Sequence, residues 1–141
     1  GLTHHTSFVD LVRTVYDGLV LSARDCYAAM GPLPEEIRIS GGAARSKALK
    51  LLLASALGVP VRESVREESG AAGAAMMAAV AIGAIPDMAV AVDKWVKPIL
   101  RGTVQPDAQL KARYDQLFPI YVKARQAMPP IWADLARSRM H

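Results

Sequence analysis

The residues best placed to do chemistry lie in Ile37-Arg38-Ile39-Ser40-Gly41-Gly42-Ala43-Ala44-Arg45-Ser46, where a short apolar run meets a glycine pair and then a helical pattern. Strand, glycine turn and helix start, in that order, bring a backbone close to a phosphate or a nucleotide. Glycine admits φ > 0 and has no Cβ to hold a ligand away. The helix start that follows offers unbonded N–H groups and a partial positive charge. A Gly-Gly pair at such a junction also serves as a plain tight turn, so its meaning depends on what surrounds it.

Few other residues compete. His4 and His5 are adjacent, a poor spacing for holding one metal from one face, and they read as loop residues. Arg24 and Asp25 are neighbours on a helical stretch and point in different directions, each toward an ion-pair partner elsewhere or water. Cys26 is the only cysteine, which excludes a disulfide framework and a thiolate cluster and fits a reducing cytoplasm. Asp10, Asp17 and Asp25 fall on the first helical stretch, and Asp87, Asp93, Asp107, Asp115 and Asp134 in the tail. No catalytic residue and no metal ligand is assigned among them.

The elements that must position the glycine turn follow from periodicity. Phe8, Leu11, Val12, Val15, Leu19, Ala23, Cys26 and Met30 recur at helical spacing. Ser7 and Asp10 form a capping box before them, Gly18 marks a place where another element packs closely, and Gly31-Pro32-Leu33-Pro34 stops the helix. A strand over Glu35–Ser40, a helix over Ser46–Leu57 closed by Gly58, and a second strand starting at Val59-Pro60-Val61 make a βαβ unit with parallel strands and a right-handed crossover. No third strand of that class is evident; Lys97–Val104 could add an extended segment, but Pro98 and Gly102 make it a poor central strand. Two parallel strands make an incomplete sheet.

Glu67-Glu68 and Ser69, an expected N-cap, open the small-residue run Gly70-Ala71-Ala72-Gly73-Ala74-Ala75, read as a closely packed core helix. Pro86–Val96 is a further helix with Pro86 in its first turn. Asp107–Met128 is an amphipathic helix that Pro119 should kink or divide, and Pro129-Pro130 should begin a short last helix.

Composition bounds the function classes. With 52% hydrophobic and 21% charged residues among 141, the chain is one globular unit rather than a disordered one. The net charge of +4 is scattered among acids without basic blocks or interleaved aromatics, which disfavours a nucleic-acid partner. Gly70–Ile85, the most apolar stretch, is too short and alanine-rich to span a bilayer, so no membrane partner is expected.

Taken in order, these segments resemble the C-terminal part of the FGGY family of carbohydrate kinases. Three stretches carry the resemblance: Gly1-Leu2-Thr3 through Gly18 to Arg24-Asp25; Ser40–Ser46 followed by Leu57-Gly58-Val59-Pro60-Val61; and Glu67–Ala75. It implies an α/β fold, the C-terminal portion of an actin-like (ribonuclease-H-like) ATPase domain, helix-rich with a short parallel βαβ unit. It implies transfer of the γ-phosphoryl of ATP to a sugar or polyol: a ketopentose such as xylulose, or an erythritol- or glycerol-like polyol. Gly41, Gly42 and Ala43 would lie against the adenosine and α-phosphate, and Ser46 near the adenine. Gly70 and Gly73 would pack their helix against that site. The aromatic residue of the xylulose-kinase pattern is absent, since Lys47, Ala48 and Leu49 stand there, and Ala43 replaces a third glycine.

Residues 1–141 are then one partial domain with a helical tail over 107–141, the nucleotide side of a longer enzyme. A start at Gly1 rather than methionine fits that expectation. ATP and Mg²⁺ are the implied cofactors, largely held by an N-terminal part of the same chain, which becomes a partner together with the substrate and, as a further candidate, a second copy in a homodimer. The fragment alone is expected to be inactive. The competing reading is a non-catalytic helical interaction module whose Gly-Gly turn is purely structural.

Overall fold

The computed structural model describes residues 2–139; Gly1, with which the first resembling stretch begins, and the last two residues of the tail lie outside the described residues. Helix α1 (Phe8–Met30) leads to strand β1 (Ile37–Ile39), a 3-10 turn (Gly42–Arg45), helix α2 (Lys47–Leu57) and strand β2 (Val61–Ser64). Helices α3 (Ser69–Ala81) and α4 (Met88–Trp95), a 3-10 turn (Lys97–Ile99), strand β3 (Leu100–Val104) and helix α5 (Ala108–Ser138) follow.

The expected parallel pair is present, with Ile37 opposite Val61 and Ile39 opposite Glu63. A third strand completes it on the other side of β2, antiparallel, with Val61 opposite Val104 and Ser64 opposite Leu100. The sheet is therefore mixed and three-stranded. β3 tolerates its sequence because it is an edge: Pro98 is absorbed by the preceding 3-10 turn, and Gly102 sits where only one neighbour needs pairing.

Helix α2 is the centre of the packing. Leu49, Leu52 and Ala56 meet Val20 and Leu21 of α1 and Tyr114 of α5, while Ala54 and Leu57 meet Ile37 and Val61 of the sheet. The helix is capped by the Ser46 hydroxyl, which accepts from the Leu49 N–H at 3.2 Å. It ends in Gly58, whose φ of +73° is a left-handed conformation suited to glycine. The fully buried Ser55 hydroxyl donates to the Leu51 carbonyl and accepts the Asp107 N–H, tying the start of α5 to α2.

Several expectations are corrected. The capping box of α1 forms as read, but the apolar stripe does not face the core: Phe8 is 78% and Val15 72% exposed, and Leu11, Val12, Leu19 and Met30 are exposed with them. The face that packs instead carries Tyr16, Val20, Leu21 and Tyr27 in apolar contact, interleaved with Arg13, Asp17 and Arg24, whose polar contacts hydropathy periodicity cannot register. A Cβ on Gly18 would meet nothing within 4 Å, so no element approaches there. Helix α3 is mostly exposed, with Met76 its one buried residue, and Gly70 and Gly73 face open space. Its N-cap is Glu68, not Ser69, whose hydroxyl turns back to the Arg66 carbonyl.

Asp87 caps α4, accepting from the Val90 N–H at 2.8 Å, so Pro86 precedes that helix rather than opening it. Helix α5 runs unbroken through Pro119, Pro129 and Pro130. Each proline removes one backbone bond to the preceding turn, and the ladder on either side carries the helix past it.

Much apolar surface remains open. The accessible area is 9640 Å², against about 7,100 Å² for a compact monomer of the same 15.1 kDa mass. No helix among the described residues is long and apolar enough to cross a membrane.

α1 and α5 are held by a partly buried polar knot. The Tyr114 hydroxyl donates to Asp17 Oδ1 at 2.6 Å, and Arg13 Nε donates to the same carboxylate oxygen at 2.8 Å. Nearby, the Arg24 guanidinium lies 4.6 Å from the Phe118 ring centroid and pairs with Asp115 at 2.8 Å, while Arg125 pairs with Asp25 at 2.7 Å. Burial, reinforced by the Asp17 carboxylate, pushes the Tyr114 phenol from 10.0 up to about 12. The folded state thus favours the protonated phenol. Its contribution to stability is complete below pH 10 and is lost as pH rises from 10.0 through about 12. Tyr114→Phe is expected to destabilise the protein by about 1–2 kcal/mol at neutral pH. It should also flatten the decline in stability across that alkaline window, as read from denaturant unfolding at several pH values.

Candidate functional site

Parallel pairing makes β1 and β2 end on the same side of the sheet. The chain leaves β1 through Ser40-Gly41-Gly42 and leaves β2 through Val65–Glu68, and a cavity of about 390 Å³ lies between these exits. Gly41, Gly42, Ala44 and Arg45 form one wall; the segment from Glu63 to Glu68 forms the other. Crevices at the carboxyl ends of parallel strands are where open α/β sheets take ligands.

The two glycines have different duties. Gly41 has φ 72° and ψ −159°, a region that essentially only glycine enters. Gly42 carries no such constraint, and a Cβ added to it would meet nothing within 4 Å. Its bare backbone therefore leaves space rather than relieving strain.

Of the four expected site residues, Gly41 and Gly42 line the cavity, whereas Ala43 and Ser46 are not among its lining residues. The reason is the 3-10 turn between the glycines and α2. The Ala44 N–H bonds to the Gly41 carbonyl at 3.1 Å and the Ser46 N–H to the Ala43 carbonyl at 3.2 Å, so α2 begins only at Lys47. Ser46 thus stands at the head of α2 as its cap.

The opposite wall was legible only in part. Glu67 and Glu68 stood out in the sequence as acids before a helix, but nothing there marked Glu63, Ser64, Val65 and Arg66 as facing the glycines. The strand register alone places them. The charges on these walls are mostly engaged. The buried Lys50 ammonium pairs with Glu63, joining α2 to β2. Arg45 Nη2 lies 3.0 Å from Glu67 Oε1, and Arg66 Nη2 donates to the Trp95 carbonyl at 2.6 Å. Among the described residues no group of three or more His, Cys, Asp or Glu side chains is arranged to hold a metal ion.

This division of labour is testable without any ligand. Gly41→Ala is expected to cost about 1–3 kcal/mol of stability, because alanine must leave or strain the observed conformation. Gly42→Ala is expected to stay within about 1 kcal/mol of the parent. Paired denaturant titrations decide it.

Comparison with known proteins fits this arrangement. Residues 1–82 match the C-terminal domain of the FGGY family of carbohydrate kinases. The chain is 53% identical over 139 residues to an erythritol kinase of Brucella abortus (strain 2308), covering 99% of this chain and 27% of that protein. It is 30% identical over 131 residues to a glycerol kinase of Geobacillus sp. (strain WCH70), covering 90% of this chain and 26% of that protein. The fold matches a ligand-bound xylulose kinase of Lactobacillus acidophilus with a TM-score of 0.79 at 24% identity, over 91% of this chain and 26% of that one. The chain thus spans about a quarter of the length of these relatives.

Proposed function

The chain belongs to the FGGY family of carbohydrate kinases, and on that premise we propose that it forms the nucleotide side of an ATP-dependent kinase acting on a small polyol. One observation carries the reading: the Gly41-Gly42 turn opens onto a cavity at the shared carboxyl end of two parallel strands. Gly41 gives the turn its shape, and Gly42 lets a phosphate or ribose come against bare backbone. Ser46 and Ala43 lie outside the cavity lining; the Ser46 oxygen accepts the Leu49 N–H, and its O–H would reach only an adenine that extends past the turn.

The reaction is phosphoryl transfer. A substrate hydroxyl oxygen forms a bond to the γ-phosphorus, the bond from that phosphorus to the β,γ-bridging oxygen breaks, and ADP leaves with the electron pair. The hydroxyl proton passes to a general base that is assigned to no residue of this chain. Mg²⁺ would arrive with the nucleotide and neutralise charge developing on its phosphates. The acids here are not grouped to hold it, so no step is routed through it.

Erythritol-like polyols are the favoured substrate class because the 53% identical relative is an erythritol kinase, whereas the xylulose kinase likeness, at 24% identity, speaks for fold alone. The exposed stripe of α1 and the exposed face of α3 offer the surfaces on which an N-terminal part of the same enzyme would pack, closing the site against water.

The test is a coupled ADP-release assay on the intact protein with erythritol, glycerol and xylulose. Erythritol is expected to give the highest kcat/KM, and the isolated 141-residue chain no turnover. Gly42→Val, which adds bulk facing the cavity, should raise the KM for ATP by on the order of tenfold while the protein stays folded. Turnover by the isolated chain, or a preference for xylulose, would contradict this assignment.

A further inference from the structure

The cavity is spanned by a single exposed tie. Arg45 belongs to the 3-10 turn after the glycines, Glu67 to the segment between β2 and α3, and their side chains meet at 3.0 Å while 77% and 79% exposed. Both residues line the cavity, one from each wall. The other charged contacts there are of a different kind. Lys50–Glu63 is rooted in a buried lysine, and Arg66 is held by a backbone carbonyl beyond the cavity. Arg45 is the one cation among the lining residues of the glycine wall. It faces a segment with three carboxylates, of which Glu68 has no side-chain partner among the described residues, and one further cation, Arg66.

An exposed ion pair of this kind contributes little and is screened by salt. A guanidinium given a phosphate instead gains stronger, bidentate hydrogen bonds. Arg45 therefore has a weak partner in the free protein and would have a better one if phosphate reached the glycine turn, within the reach of its own side chain. We propose that Arg45 is a phosphate-positioning residue that exchanges Glu67 for the nucleotide's phosphates, and that Glu67 sets how readily it does so. This rests on the nucleotide reading above and gives a role to a residue of the glycine motif that the resemblance left without one.

The signs follow from charge. Removing Arg45 deletes the cation of the glycine wall and leaves Glu67 and Glu68 facing an incoming anion with only Arg66, which is turned to the Trp95 carbonyl, as a cation on the cavity. Removing the charge of Glu67 releases Arg45 and takes away a repulsive group at once. Neither change touches uncharged adenosine.

Calorimetric titration of the intact protein with adenosine and with ADP, for the parent, R45A, R45K, E67Q and the R45A/E67Q pair, tests this. R45A is expected to weaken ADP by on the order of tenfold and to leave adenosine within about twofold. R45K should recover part of the loss as a point charge without the fork. E67Q should tighten ADP, and that gain should shrink when Arg45 is absent, as groups that act together require. High exposure of both side chains keeps folding out of the comparison. Parent binding of ADP that R45A leaves unchanged, or a loss shared equally by adenosine, would overturn the role of Arg45 while sparing the nucleotide reading. Failure of the parent to bind either ligand would overturn both.

Discussion

The parallel pairing of Ile37–Ile39 with Val61–Glu63 is the constraint on which the rest depends. Two parallel neighbours cannot be joined by a hairpin, so a crossover element must return the chain to the same end of the sheet. Here that element is α2, which is buried on two sides, by the strands through Ala54 and Leu57 and by α1 and α5 through Leu49, Leu52 and Ala56. The Lys50–Glu63 pair then ties helix to strand, with the lysine buried, so that losing either partner would strand a charge in a poorly solvated place. With the crossover fixed, the exits of β1 and β2 have to lie side by side. The cavity is the space between them.

What sits at that space follows from backbone chemistry. The φ and ψ of Gly41 turn the chain sharply as it leaves the strand, and the 3-10 turn over Gly42–Arg45 delays the start of α2. On the nucleotide reading, a ligand at the glycines would meet the turn and Arg45 rather than the first amides of α2. Ser46 is held one step away as the cap, and its remaining donor is all it has to offer. The site is thus a turn with a charged flank, not a helix terminus alone.

Much of this was legible in the sequence. The Gly41-Gly42 turn, the βαβ unit, the capping box at Ser7 and the glycine at 58 all leave local signatures, because each solves a local backbone problem. Other features left none. The second wall of the cavity is set by strand register, which couples residues some twenty positions apart. The packed face of α1 is chosen by the Arg13–Asp17–Tyr114 knot and by Arg24 over Phe118, contacts between polar groups far apart in the chain. Hydropathy periodicity found the other face, which is apolar and remains exposed. The small-residue helix α3 was misread for the same reason, since composition reports that a helix can pack closely but not whether anything lies against it. The prolines of α5 were over-weighted, because a long helix absorbs single lost backbone bonds without ending.

If the glycine turn and the segment after β2 form one nucleotide cavity, both must respond to the same ligand. The most direct measurement is an NMR titration of isotope-labelled protein with Mg-ADP at two salt concentrations. The account predicts saturable shifts on the amides of Gly41 to Ser46 together with those of Ser64 to Gly70, weaker at high salt. A well-folded sample whose spectrum is unmoved in both segments, or moved only elsewhere, would contradict it.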